Sequence, residues 1–283
     1  MFGITGRFDG STISVLDPVI DIEMLPIPYA YPNVLGDYEA NYLYTVTAFN
    51  TVENQTLLPR DFKVSIDGGD DLLVPAITTF PTWGTVITPP DRPVSYYSTD
   101  TTSEIVVKML STTGVTLASA ASEDAMINNG LINLCVIGGE LMQFQTVTDN
   151  GNGTYSLTNL IRAKYGTDGA ASVGHYSGER FVLLGNNAGI LDYTSFRTLT
   201  VPFGDSPSKV IRARLISNNP FQPECIRRVV ATNVRPWSVG GLEAEYDMSG
   251  NADFVWQYRT RYDGEWIDDG TELQAFTDGP SEE

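Results

Sequence analysis

The residues able to do chemistry gather in one stretch, Gly153 to Leu184, which reads GTYSLTNLIRAKYGTDGAASVGHYSGERFVLL. It holds Arg162, Lys164, Asp168, Glu179, Arg180 and His175, the single histidine of the chain. An imidazole acting as general base needs a group to orient it and a nucleophile to serve. No Gly-x-Ser-x-Gly elbow occurs anywhere to supply that nucleophile. One histidine and two distant cysteines, Cys135 and Cys225, do not make a zinc site from soft ligands alone. His175 is therefore expected as a loop imidazole hydrogen-bonded to backbone. Arg162, Lys164 and Arg180 stand out in an acidic chain. They pair either locally, with Asp168 and Glu179, or across an interface with an acidic neighbour, and both readings stay open.

Other chemistries leave weaker marks. The 35 Asp and Glu residues could supply a glycosidase pair, but nothing in their order selects two of them. Asp67-Gly68-Gly69-Asp70-Asp71 and Asp247 to Asp253 loosely resemble calcium loops without matching the twelve-residue order that ends on Glu. They are read as turns, with a structural calcium left open. Tyr29, Tyr31, Tyr38, Tyr42, Tyr44, Tyr96 and Tyr97 could form an interface or a sugar platform, or serve as ordinary strand residues. No phosphate loop or dinucleotide fingerprint is present, and no cofactor is expected.

The chain has 283 residues, 35 acidic against 17 basic side chains, and a formal charge of −18. A field of that sign repels phosphates, which disfavours nucleic acid and anionic lipid as partners. With 42% hydrophobic and 11% aromatic residues the sequence can build cores, which argues against disorder for the chain as a whole. A Cys135–Cys225 bridge would close a loop of roughly ninety residues, and two free thiols are expected instead. The start, MFGITGRFDG, lacks the apolar core of a signal peptide, and no apolar run approaches the ~20 residues of a membrane helix. No fixed-period repeat or heptad occurs, which argues against a fibrous shaft.

These residues must be held by short strands. The turn Asp149-Asn150-Gly151-Asn152-Gly153 introduces a strand with Tyr155 and Leu157 on one face, followed by a glycine-punctuated loop through His175 and a buried strand Phe181–Leu184. Upstream, strands are expected at Phe2–Ile4, Thr12–Leu16, Ile20–Leu25, Tyr42–Phe49 and Phe62–Asp67. Pro81 to Pro93 reads as a connection between domains. Glu104–Leu110 is a strand, and Ser119–Asn129 is the one helix, capped by Ser119 or Ser122 with Glu123 and Asp124 in its first turn. Leu131–Ile137 and Glu140–Thr148 flank the hairpin turn Gly138-Gly139. Lys209–Ile216 alternates, with Ile211, Ala213 and Leu215 on one face and Arg212 and Arg214 on the other. Val229–Val234, Leu242–Tyr246 and Phe254–Arg261 follow as strands, with Trp266 returning after Asp263-Gly264. The fold class is all-β: two or three small sandwich or barrel domains, at 1–97, 98–200 and 201–283. The last is fibronectin-like and shorter than the usual ~100 residues.

The ordered set Leu160-Ile161-Arg162-Ala163-Lys164-Tyr165-Gly166-Thr167, then His175, then Gly178-Glu179-Arg180-Phe181-Val182-Leu183-Leu184 resembles the C-terminal half of phage and gene transfer agent tail-tip hub proteins. The likeness extends upstream to about Asp100. Downstream it reaches Trp237 in Arg235-Pro236-Trp237-Ser238 and Trp256 in Trp256-Gln257-Tyr258-Arg259. It implies a non-catalytic, structural role at the virion tail tip, built in the host cytoplasm. The implied partners are other tail-tip, distal-tail and fibre proteins, in a homotrimer. Arg162, Lys164, Gly166, Thr167, His175, Arg180, Trp237 and Trp256 are the candidate motif and interface residues. The alternatives are a module binding a host-surface glycan or receptor, and a cell-wall glycan hydrolase.

Overall fold

A computed structural model describes residues 20–26, 41–49, 60–94, 98–111, 117–164, 167–191, 194–202, 208–230, 240–246 and 252–257. In chain order these form β1 (Asp21–Pro26), β2 (Asn41–Phe49), β3 (Arg60–Ile66), β4 (Leu72–Ile77), β5 (Trp83–Thr88) and β6 (Asp100–Ser111). Then come α1 (Glu123–Asn128), β7 (Leu134–Ile137), β8 (Glu140–Gly151), β9 (Thr154–Lys164), α2 (Asp168–Val173) and β10 (Arg180–Leu183). The last are β11 (Arg197–Pro202), β12 (Ser208–Leu215), β13 (Glu224–Val230), β14 (Gly240–Tyr246) and β15 (Ala252–Gln257). The chain is mostly β, as its Val, Thr and aromatic content requires.

Six strands close into an antiparallel barrel in the order β10-β5-β6-β9-β8-β7. Alternation sends Ile105 and Val107, Met142 and Phe144, and Phe181 and Leu183 into one core, where they meet Leu157, Leu160, Cys135, Ile137 and Val86. The other faces of β7 and β10 are buried too. Leu134, Val136 and Val182 join Trp83 and Leu141 in a second core with Leu25, Phe49 and Phe196. Burial on both sides explains why these two strands read as unbroken apolar runs. The hairpins turn where the sequence permits positive φ: Gly138 (55°) with Gly139 (99°), and Asn152 (54°) with Gly153 (71°).

A four-stranded sheet, β13-β12-β3-β4, packs Phe62, Val64, Val74, Ile77, Ile211, Ala213 and Leu215 into its own core. It joins β3 to β12 across the whole length of the barrel segment. β1, β2 and β11 form a three-stranded sheet, and β14 pairs with β15. Cys135 and Cys225 are free thiols, as expected.

Several expectations need correction. Residues 81–93 are not a domain connection, because they contain β5, a full barrel strand. Its flanking prolines hid it. β9 runs on to Lys164, so Arg162 and Lys164 lie on a strand rather than in a loop. The following segment forms a second short helix, α2, where one helix was expected. β13 begins at Glu224, earlier than Val229. β4 was not anticipated; Pro75 sits in it, which suits an edge strand paired on one side only. The segments Phe2–Ile4 and Thr12–Leu16, the tyrosines 29, 31, 38, 96 and 97, and Trp266 lie outside the described residues, as does the fibronectin-like completion beyond Gln257.

α1 is shorter than expected but capped as expected: the Ala125 N–H donates to Ser122 Oγ at 3.1 Å, with Glu123 and Asp124 in the first turn. Ser119 instead accepts from the Val147 N–H. Ser122→Ala should therefore cost about 1 kcal/mol in chemical denaturation, against a negligible effect for the neighbouring exposed Ala121→Ser.

Candidate functional site

Antiparallel closure puts the starts of β6, β8 and β10 and the ends of β5, β7 and β9 at the same rim of the barrel. Alternation from Met142 and Phe144 turns Glu140, the first residue of β8, inward at that rim. Opposite it, β9 bulges. Leu141 faces Lys164 and Gln143 faces Ile161, so two steps on β8 meet three on β9. Ala163, in the bulge, takes a left-handed φ of 53° and aims its N–H at Glu140 Oε1, 2.8 Å away.

The bulge brings Arg162 and Glu140 together as a two-pronged pair. Arg162 Nε–H donates to Glu140 Oε1 and Nη2–H to Oε2, each at 2.8 Å. Arg162 Nη1–H donates to the Asp91 carbonyl at 2.9 Å and reaches Asp100 Oδ2 at 3.4 Å. Asp100 is itself held by the Thr102 and Ser103 N–H groups. Both side chains of the central pair are 0% exposed. An ion pair this deep is tolerable only when nearly every lone pair and proton is used, and here they are.

His175 completes the network. Its Nε2 lies 2.7 Å from Glu140 Oε2 and its Nδ1 lies 2.8 Å from Glu179 Oε2, with the side chain 1% exposed. Both partners are carboxylates and can only accept, so the ring donates from both nitrogens as imidazolium. A neutral ring would turn a lone pair toward one of them. Burial alone lowers the imidazole; the bonds and charges of Glu140, then Glu179, outweigh it and hold His175 above its ordinary value. Burial likewise raises the Glu140 carboxyl, and His175, Arg162 and the Ala163 N–H together bring it below the ordinary range.

These opposite shifts set a pH window. The Glu140 contribution is complete above the ordinary glutamate value of about 4.3 and is lost as pH falls through its depressed value. The His175 contribution is complete below about 6.5 and is lost as pH rises through its raised value. Stability should therefore peak between about pH 4.3 and 6.5. His175→Gln should flatten the alkaline limb, read from urea midpoints across pH; an unchanged limb would remove the imidazolium from this account.

The cover over the rim is built from α2 and residues 174–179. Thr167 accepts from the Leu141 N–H at 3.0 Å and donates to the Lys164 carbonyl at 2.8 Å, fastening the start of α2 to both β8 and β9. Arg92 Nη2–H donates to the Val173 carbonyl at 3.0 Å at the far end of the helix. Gly178 donates its N–H to the Val86 carbonyl, and Val86 its own to the Glu179 carbonyl. Glu179 also crowds Gly138: a Cβ there would sit 2.5 Å from Glu179 Oε1.

The structure therefore divides the residues singled out in the sequence. Arg162 and His175 meet inside the barrel, and Thr167 secures their cover. His175 is bound by two carboxylates, which corrects the expected backbone partner. Arg162 pairs with Glu140, Asp100 and the Asp91 carbonyl, which corrects both the expected local pairing with Asp168 and Glu179 and the expected pairing with an acidic neighbour. Arg180 faces outward; its guanidinium lies 4.0 Å above the Phe49 ring and 5.3 Å from Trp83. Those two rings meet edge to face at 5.2 Å, so Arg180 seals the seam between the barrel and β2. Lys164 is half-buried, and its carbonyl accepts from the Thr167 hydroxyl at the start of the cover. Trp256 lies in β15; Gly166 and Trp237 fall outside the described residues.

Glu140 and Asp100 are the residues that sequence reasoning missed. A carboxylate at an inward position of an alternating strand is the signal that could have revealed Glu140. Among the described residues no cluster of three or more His, Cys, Asp or Glu side chains is arranged to hold a metal. In the first of the two calcium-like loops, Asp67 accepts from the Val210 N–H and Asp71 pairs with Lys63 and Arg214. Chemically, the network is a lock: it ties β8, β9, the start of β6 and the 174–179 segment into one closed end.

No curated protein matches the chain. Residues 81–182, from the approach to β5 into β10, match the family model described as Rcc01698-like, C-terminal, which associates the barrel with structural proteins of gene transfer agents and phages.

Proposed function

We propose that the chain is a structural, non-catalytic component of a phage or gene transfer agent tail tip, organising the distal tail and the host-attachment apparatus. The observation that carries this reading is the coincidence between the matched segment and the barrel closed by the buried lock. Its polar residues are spent on holding strands together, as a rigid building block requires. In this reading the chain assembles as a homotrimer and binds distal-tail and fibre proteins. A tagged copy expressed in a particle-producing host is expected to co-purify with tailed particles. Antibody-gold should mark the end distal to the head, and native mass spectrometry should give three chains per assembly. Recovery of the chain only in the particle-free fraction would overturn the proposal.

A further inference from the structure

The chain contains three Asn-Gly pairs, at 129–130, 150–151 and 152–153, and the fold holds each of them differently. An asparagine followed by glycine is open to attack by its own backbone. The next peptide nitrogen reaches the side-chain carbonyl carbon, and a glycine there puts no Cβ in the way. Reaction then depends on how firmly the amide and that nitrogen are held, because bonded groups must first open locally. At the first pair Asn129 is half-buried, and its Oδ1 accepts from the Leu131 N–H at 3.1 Å. At the second pair both reacting groups are occupied. Asn150 Nδ2 donates to Ser156 Oγ at 2.8 Å, and the Gly151 N–H donates to Asp149 Oδ1 at 2.8 Å.

The third pair is the two-residue loop between β8 and β9, at the barrel end opposite the lock. Asn152 and Gly153 are both exposed and both left-handed, with φ of 54° and 71°. Among the described residues neither the Asn152 amide nor the Gly153 N–H has a hydrogen-bond partner. The tip is tied to its surroundings through other atoms. The Gly153 carbonyl accepts from the Met109 N–H at 2.9 Å, and Thr154 Oγ1 donates to the Gly151 carbonyl at 3.0 Å. A Cβ on Gly153 would meet nothing nearer than the Met109 carbonyl oxygen at 4.0 Å, so the loop has room to move.

We propose that Asn152 is a site of spontaneous deamidation, ageing to a mixture of isoaspartate and aspartate at the β8–β9 tip. Hydroxide takes the Gly153 amide proton, and the nitrogen bonds to Asn152 Cγ. The Cγ–Nδ2 bond breaks and ammonia leaves, which closes a five-membered succinimide. Water then opens the ring, giving isoaspartate by attack at the main-chain carbonyl and aspartate by attack at Cγ. The net change is one water consumed and one ammonia released, with no oxidant or reductant. The tip gains a carboxylate close to Asp149. Isoaspartate also adds a backbone carbon to a loop whose twist rests on two left-handed residues, so the Gly153 carbonyl is drawn away from Met109. The site does not depend on the tail-tip reading.

The test is incubation of the full chain at mildly alkaline pH in heavy-oxygen water, beside a synthetic peptide of residues 148–155 as the unfolded reference. Electron-transfer fragmentation locates the label and separates isoaspartate from aspartate. Label at Asn152 is expected at least about fivefold faster than at Asn150, where each reacting group must first lose a hydrogen bond. Asp149 is exposed, so Asp149→Ala should fold normally while freeing the Gly151 N–H. In that variant Asn150 should approach the rate of Asn152. In the aged protein the Met109 amide should exchange faster, with the Leu141 amide at the opposite rim unchanged. The proposal is overturned if Asn152 keeps its amide while the peptide converts. It is equally overturned if Asn129 or Asn150 keeps pace with Asn152 in the unaltered protein, or if Asp149→Ala leaves the Asn150 rate where it was.

Discussion

Glu140→Ala should destabilise the protein by about 3–5 kcal/mol, because it leaves the Arg162 guanidinium and the His175 imidazolium buried without their shared counter-charge. Domains of this kind hold only about 5–15 kcal/mol in total, so the variant should be largely unfolded when warmed. The size comes from desolvation, not from the pair's own attraction. Arg162 has no water to retreat to, since its side chain is 0% exposed. Adding Arg162→Met to Glu140→Ala should therefore restore part of the loss, because the second change removes the orphaned charge and fills its space. Urea denaturation of the two variants measures this directly. A single-variant loss below about 1 kcal/mol would mean that water reaches the rim and that the lock is not closed.

Two neighbours in sequence should behave very differently. Phe181 is fully buried in the barrel, with its ring 6.3 Å from that of Phe144, so Phe181→Ala should cost about 3–5 kcal/mol through lost burial and a cavity. Arg180 points the other way, onto Phe49 and Trp83. Arg180→Ala removes a cation–π contact worth about 0.5–2 kcal/mol and opens no cavity in the barrel core, so its loss should be the smaller of the two. Denaturation midpoints of the two variants give the comparison. Equal losses would contradict the assignment of opposite faces on β10.

Much of the architecture could be read because its physics is local. The alternation of Ile211, Ala213 and Leu215 with Arg212 and Arg214 marks β12, and the paired glycines at 138 and 139 mark a hairpin whatever surrounds it. The prominence of Arg162 and His175 was also visible, since each is a rare residue type in an acidic chain. Their partner was not. The inward place of Glu140 on an alternating strand marks it among 35 carboxylates, but its partners stay hidden, because only barrel closure brings it to β9 and to His175. β5 escaped notice for a related reason. It needs Gly84, where a Cβ would lie 2.3 Å from the Lys108 carbonyl oxygen, and that close approach exists only once β5 and β6 pair. α2 lacks a side-chain cap and is built on Gly169 and alanines, so its helical state comes from the barrel beneath it.

β10 is the last barrel strand to be made, yet it lies between β5 and β7, pairing Arg180 with Thr85 and Val182 with Val136. A ribosome must therefore deliver residues beyond Leu183 before the ring can shut, and a nascent chain halted earlier carries two bare strand borders that invite sticking to other chains. The same ordering limits how the molecule can be cut for experiment. A fragment that starts after Trp83 or stops before Leu183 lacks its keystone or the stone beside it, and should be recovered as aggregate rather than as a smaller working part.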